Sequence, residues 1–372
     1  RSLPKITTKH TKFKQALSQG HSHTKRSQVL DYAKDIKADS VAALQYTGGT
    51  TGVSKGAMLS HKNLVTNTLQ MMQMVEKFIR LGKETIITAL PLYHIFAFTV
   101  NLLGFYHVGG KNIVIPNPRP PSNLKRAFEN YQITWVSGVN TLYSALLKER
   151  WFQEAPPTSL SASVAGGMAL HQSVAVDWEK VTKSPLVEGF GLTESSPVLT
   201  FNPLGGTAKP GSIGIPMPST DIQIVDDNGK EVAIGESGEL IAKGPQIMLG
   251  YWNNTKESAA TIKDGWLYTG DIAQMDEDGY FQIVDRKKDV ILVCAGWKNK
   301  FNLEDTICAG AISDFLITSG KFTSEEDSSI AAKYLYLSAK DNYLGYLKSS
   351  SHRRRLKNLN LNEDIKYCLT PN

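Results

Sequence analysis

Cysteine is scarce in this chain. Cys294, Cys308 and Cys368 are the only three in 372 residues, odd in number and without close paired spacing. That excludes a disulfide framework and a zinc or redox pair, and it fits a reducing, cytoplasmic setting. Acid is missing from the first thirty residues, which carry seven basic ones: Arg1, Lys5, Lys9, Lys12, Lys14, Lys25 and Arg26. A run of one sign reads as a helix-poor, solvated lead-in over residues 1–40. The alternative is peripheral contact with an anionic surface on the inner face of a membrane. Nucleic-acid binding would rest on that stretch alone and is not expected, and His21 and His23 lack further ligands for a metal. Neither a signal-peptide pattern nor an internal repeat occurs. Because the chain opens on this lead-in rather than on the start of a domain, it is expected to be a fragment.

Charge is absent again from Thr85 to Gly110 (TIITALPLYHIFAFTVNLLGFYHVGG), a run long enough to cross a bilayer. Pro91, His94, Asn101, His107 and the Gly109-Gly110 pair interrupt it. A buried strand over Ile86 to Leu90, a loop at Pro91 to His94 and a buried helix are expected instead.

What is present is the composition of a globular protein, 41% hydrophobic and 20% charged with a net charge of +6. From Val41 to about Gly191, short apolar runs (VAALQY, IITAL, NIVI, ITWV, PLVEG) alternate with helical ones at Leu64 to Leu81, Leu124 to Tyr131 and Leu142 to Leu147. Strands joined by crossover helices make a parallel sheet covered on both faces. Ser60 is the expected N-cap of the first long helix, with Leu64, Met71, Met72, Val75, Phe78 and Ile79 on its buried side and Gly82 as its stop. Beyond Gly211, short alternating runs separated by Asp227-Asn228-Gly229 and Asp276-Glu277-Asp278-Gly279 read as hairpins of a small antiparallel sheet. The acidic turn at Asp276 lacks calcium-loop spacing and reads as a plain turn. After about Gly296 both rhythms stop. The expected organisation is therefore a lead-in (1–40), an α/β part (41–205), a β-rich part with a hinge (206–288) and a divergent tail (289–372).

The densest run of glycine, hydroxyl and lysine is Thr47 to Gly56, TGGTTGVSKG. A glycine-rich turn between a strand and a helix lets backbone N–H groups converge on phosphate oxygens, and the helix N-terminus adds favourable partial charge. Thr47, Thr50 and Thr51 supply hydroxyls and Lys55 a mobile positive charge, while Gly48, Gly49 and Gly52 leave room for the anion. The order differs from that of the P-loop NTPases, which place Gly, Lys and Ser or Thr in succession. A structural glycine turn is the bland alternative.

This run resembles the phosphate loop of the adenylate-forming superfamily, which includes acyl-CoA synthetases, luciferases and the adenylation domains of peptide synthetases. Further motifs follow in order. Gly189-Phe-Gly-Leu-Thr-Glu194 is similar to the superfamily's aromatic-Gly-x-Thr-Glu motif, which implies Phe190 stacking near adenine, Thr193 at phosphate and Glu194 holding magnesium. Ala165-Gly166-Gly167 resembles the glycine turn beside adenine. Tyr268-Thr-Gly-Asp271 resembles the ribose site, with Arg286 as a second ribose or phosphate contact and Lys288 at the hinge. Asp264 to Lys288 resembles the signature of fatty acyl-CoA synthetases, and Pro91 to Phe98 the mouth of their acyl tunnel. That implies His94 near the reacting carboxylate, Phe98 at the gate and Gly138 in the tunnel wall, with the uncharged Thr85 to Gly110 run lining it.

The resemblance implies an α/β fold: a large adenylate-forming domain of layered sheets and helices with a small antiparallel β subdomain. It implies ATP and Mg2+ as cofactors, coenzyme A as a substrate, and a fatty acid activated to acyl-AMP before thioester formation, with Lys55, His94, Thr193 and Glu194 as the catalytic set. A non-catalytic remnant that binds nucleotide or an acyl group, and a ligase for another carboxylic acid, stay open as alternatives. Both ends depart from the pattern. Only forty residues precede Val41, and Cys294 to Lys300 replaces the expected turn after the hinge. Ser319-Gly-Lys321 lies too near the hinge to supply the lid lysine, so none is assigned. The C-terminal lid is expected to be missing or degraded, with a tail after about Val293 such as a frameshift or a degraded gene would produce.

Overall fold

The computed structural model describes residues 11–23, 33–47, 54–286, 294, 302–319, 324 and 327–350. The chain divides into two compact units, Arg1–Lys288 and Asp289–Asn372.

In the first unit, the lead-in contains a helix at Phe13–His23, where a helix-poor stretch was expected. Strands β1 (Val41–Thr47) and β2 (Lys55–Ser60) then pair antiparallel, with Thr47 opposite Lys55. The glycine-rich run is thus the connection of a hairpin and not a strand-to-helix turn. The physical reason lies in Lys55–Ser60, which buries four of its six residues and is held extended from both sides. Besides pairing with β1, it exchanges backbone hydrogen bonds with residues 249–252, including Leu249 N–H to the Met58 carbonyl (2.9 Å) and Trp252 N–H to the Gly56 carbonyl (2.8 Å). For the same reason β1 leaves the parallel sheet to which its apolar pattern had pointed.

The helix His61–Val75 begins where expected. The Ser60 hydroxyl accepts the Asn63 N–H (3.1 Å), and the Asn63 side chain accepts the Ser60 N–H in return (2.9 Å). It ends at Val75 rather than near Leu81, passing through one tight turn, Glu76–Phe78, into an extended Ile79.

Next come β3 (Thr85–Thr88), β4 (Lys111–Val114), β5 (Trp135–Gly138), β6 (Ala162–Ala165) and β7 (Leu186–Gly191), then β8 (Val198–Phe201) and β9 (Ile215–Pro216). They form one sheet in the order β4-β3-β5-β6-β7-β8-β9, parallel through β7 and antiparallel beyond. Side chains alternate between its faces. Ile86 and Trp135 join Met71, Val75 and Phe105 on one side, while Ile87 and Val136 join Tyr143, Phe152 and Trp178 on the other. The uncharged run is a strand, a loop and a crossover, Ala97–Gly104 in the wide π-helical form followed by Phe105–His107. Among the described residues no helix is long and apolar enough to cross a membrane.

The sheet grows outward from β3 to β4 and then returns past β3 to β5, so strand order reverses between β3 and β5. Buried Asn101 of the crossover pins this point. Its amide donates to the Thr88 hydroxyl (3.0 Å) and accepts from the Ser137 hydroxyl (2.8 Å), and its carbonyl takes the Asn112 amide (3.0 Å). A fully paired buried network of this kind holds one arrangement of three strands.

A second sheet follows as anticipated, antiparallel and built from β10 (Asp221–Val225), β11 (Gly238–Lys243), β12 (Ile262–Lys263), β13 (Trp266–Met275) and β14 (Phe281–Arg286). The Asp276 turn is an ordinary one: its carboxylate accepts the Asp278 and Tyr280 N–H groups (3.0 and 2.9 Å).

Among its described residues the second unit holds the helices Leu303–Thr318 and Asp327–Ala339, linked by a Lys333–Asp314 ion pair of 3.2 Å, and a short helix at Tyr343–Tyr346. The sequence reading drew no elements there, because apolar residues are spread around these helices instead of forming a stripe.

Candidate active site

The carboxyl edge of the parallel sheet gathers residues from four strands. His94 and Phe98 follow β3, Gly138 ends β5, Gly166 and Gly167 follow β6, and Phe190, Thr193 and Glu194 lie on or just after β7. Open α/β sheets bind ligands in the crevice outside this edge, at the point where strand order reverses. His94, Phe98 and Gly138 flank that point.

Four side chains form a continuous chain of contacts between the hairpin and the turn after β7. Glu194 sits in the tight turn Thr193–Ser195, its backbone carbonyl held by the Met248 N–H (2.8 Å). Its carboxylate accepts the Tyr251 hydroxyl at 2.7 Å. The Lys55 ammonium lies 5.5 Å from the centre of the Tyr251 ring and donates to a Glu257 carboxylate oxygen. Burial, then the neighbouring charge and hydrogen bond of Glu194, push the Tyr251 hydroxyl pKa far up, so it stays a donor at neutral pH. Sequence reasoning singled out Lys55 and Glu194 but neither Tyr251 nor Glu257. The only local signal for them was the Gly250-Tyr-Trp252 aromatic pair, which reads equally as core.

Around the glycine turn the approach is close. A Cβ on buried Gly166 would stand 3.2 Å from the Gly189 carbonyl and 3.3 Å from the Phe96 ring, so the turn, β7 and the loop after β3 meet here. Gly167 has a φ of +77°, which disfavours a side chain. Phe98, Phe190 and Leu192 pack against one buried cluster with Ile95 and Leu199. His94 accepts the Phe96 N–H on Nδ1 (3.3 Å), and desolvation lowers its pKa, leaving a neutral ring at neutral pH. At Gly138 the space left by the missing side chain is filled, since a Cβ there would lie 2.6 Å from a Leu142 methyl.

Glu188, also missed, sits in β7 only 8% exposed, where it accepts the Leu170 N–H (3.2 Å) beside a cleft formed with Asn202 and Lys209. Burial raises its pKa to about 7. A carboxyl that holds its proton in the fold but loses it near pH 4.5 when unfolded lowers stability as pH rises from there towards 7. Glu188→Gln is therefore expected to gain on the parent by on the order of 2 kcal/mol between pH 5 and pH 8. Melting temperatures across that range check this, and parallel curves would contradict it.

Asp271, on β13, is 7% exposed and stands opposite Arg286 of β14 in the strand register, next to a bulge. Bulges re-aim side chains near binding sites. Gly48, Gly49, Thr50, Thr51, Gly52 and Lys288 lie outside the described residues, and Thr47 ends β1 half-buried. Among the described residues no cluster of three His, Cys, Asp or Glu forms a metal cage. A single carboxylate such as Glu194 fits magnesium instead, which takes one or two protein oxygens and completes its shell with water and substrate phosphates.

A parallel sheet with this carboxyl edge, joined to a small antiparallel sheet, has the layered α/β architecture of the adenylate-forming enzymes. Residues 2–252 match the family described as AMP-binding enzyme, and the chain belongs to that family. Residues 280–372 match a different one, described as 2-phosphosulpholactate phosphatase. The long-chain-fatty-acid–CoA ligase of Salmonella typhimurium is 49% identical over 282 residues, 76% of this chain and 49% of that protein. Its Bacillus subtilis counterpart is 41% identical over 72% of this chain and 48% of its own length. ATP-bound MatB from Rhodopseudomonas palustris superposes with a TM-score of 0.64 at 30% identity, covering 75% of this chain and 54% of that one. The O-succinylbenzoate coenzyme A synthetase of Bacillus subtilis, in complex with ATP and magnesium, gives 0.62 at 27% identity, covering 72% and 54%. The chain spans about half the length of the curated relatives it matches.

Proposed function

We propose that this chain carries the nucleotide- and acyl-binding part of a long-chain fatty-acid CoA ligase. The observation that carries the reading is the chain of contacts Glu194–Tyr251–Lys55, which brings two residues 139 positions apart together beside the glycine-rich connection. Similarity to fatty-acid ligases at up to 49% identity supports it.

In the reaction, an oxygen of the fatty carboxylate attacks the α-phosphorus of ATP, the bond to the β-phosphate oxygen breaks, and pyrophosphate leaves. The thiol of coenzyme A then attacks the acyl carbon, loses its proton and displaces AMP. Lys55 and the backbone N–H groups of residues 48–52 offset charge on the departing phosphates, and Thr193 donates to phosphate. Glu194 would hold Mg2+, which supplies charge neutralisation on the phosphates when bound. Phe190, Gly166 and Gly167 receive adenine, while Asp271 and Arg286 receive ribose. Neutral His94 orients the carboxylate, with Phe98 and Gly138 beside the acyl entry and Lys288 at the hinge. The α/β part (41–205) and β-rich part (206–288) share the site. The basic lead-in gives peripheral membrane contact in a cytoplasmic protein.

Purified chain is expected to exchange pyrophosphate into ATP only when a long-chain fatty acid is added. Exchange driven by aryl acids instead would redirect the substrate class. Nucleotide binding without any exchange would instead point to the alternative, a binding remnant.

A further inference from the structure

Glu257 belongs to no motif, yet it is the carboxylate paired with Lys55. Its placement is set by backbone. Trp252 N–H bonds to the Gly56 carbonyl (2.8 Å), which ties residue 252 to the strand that begins with Lys55. The Asn254 side chain accepts the Glu257 N–H (3.2 Å), and the Ser258 hydroxyl accepts the Tyr251 N–H (2.8 Å). The turn and helix that carry Glu257 are thereby locked beside the hairpin. The lysine side chain is 19% exposed and the glutamate 38%, so solvent reaches the acid side of the pair more than the base. An ammonium in this position has three donors and serves a carboxylate or a phosphate equally well.

We infer that Glu257 is an internal counter-ion for Lys55, occupying the place that a nucleotide phosphate takes and yielding it when nucleotide binds. The inference rests on the reading of Lys55 as the phosphate lysine. Its consequence is a binding cost, because nucleotide meets a lysine already engaged, and affinity is reduced by the fraction of molecules in the paired state. In exchange, the lysine is held in position over the Tyr251 ring in the nucleotide-free protein.

Titration calorimetry on the full chain with ATP, inorganic pyrophosphate and adenosine tests this. Glu257→Gln, which removes the charge and keeps the shape, is expected to tighten ATP and pyrophosphate about two- to fivefold, the range of a partly exposed ion pair, and to leave adenosine unchanged. Glu257→Asp, whose shorter arm draws back from the ammonium, is expected to move both in the same direction. Lys55→Met is expected to weaken ATP and pyrophosphate and, combined with Glu257→Gln, to abolish the gain. If Lys55→Met weakens ATP while neither Glu257 variant tightens it, the counter-ion role is overturned and the phosphate lysine stands. If Lys55→Met leaves ATP binding intact, the reading beneath the inference has failed.

Discussion

Glu194→Gln is expected to weaken ATP binding about a hundredfold in the presence of magnesium and to leave it nearly unchanged in EDTA. The substitution is nearly isosteric, and its remaining oxygen can still accept from the Tyr251 hydroxyl, which lies 2.7 Å from the carboxylate. The turn is also held from outside the side chain, by the Met248 N–H on the Glu194 carbonyl at 2.8 Å. What changes is charge. Magnesium prefers hard anionic oxygens shared with phosphates, and trading the carboxylate for a neutral amide removes about 2.7 kcal/mol of attraction at that factor. Calorimetry with and without chelator separates this from a folding defect. Equal weakening in both buffers would show that Glu194 supports the turn and not a metal.

Gly191→Ala is expected to lower stability by about 3 kcal/mol and to remove nucleotide binding with it. A Cβ there would stand 1.8 Å from the Pro197 carbonyl oxygen, 2.7 Å from its carbon and 3.0 Å from the Val198 Cα. All three are backbone atoms, so no flexible side-chain tip can swing aside. Gly191 pairs with Val198 where β7 meets β8, and the tight turn between them bears Thr193 and Glu194. Relief requires parting the strands or rebuilding the turn, and either displaces Glu194 from Tyr251. A melting temperature within 1 °C of the parent, with ATP binding kept, would refute this close approach.

Much of the architecture was legible because it is written as local rhythm. Runs such as IITAL, ITWV and PLVEG sit between helical stretches, so strands of a parallel sheet could be read directly, and paired turn residues marked the antiparallel sheet. β6 escaped notice because ASVA is short, small and buried on both faces, leaving no alternation to see. The hairpin at the glycine-rich run was misread as a strand-to-helix turn because the partners that keep Lys55–Ser60 extended come from residues 249–252, far along the chain. Distance hid Tyr251 and Glu257 in the same way: each gains meaning only from a neighbour more than fifty positions away. Glu188 did carry a signal, an acid inside an apolar strand run.

The reversal of strand order between β3 and β5 divides the labour of the sheet. In the proposed function, the segments that flank it, from His94 to Asn101 and from Gly138 onward, would serve the acyl group, while the glycine turn after β6 and the turn after β7 that bears Glu194 would serve the nucleotide. Because Asn101 fastens the crossover to the strands beneath it through buried hydrogen bonds, the side chains above that anchor can change without disturbing the sheet. Such a scaffold lets the accepted acid drift through exchanges in two loops while the phosphate chemistry next door stays constant. One frame can in this way give rise to a lineage of enzymes that differ in appetite and agree in how they use their fuel.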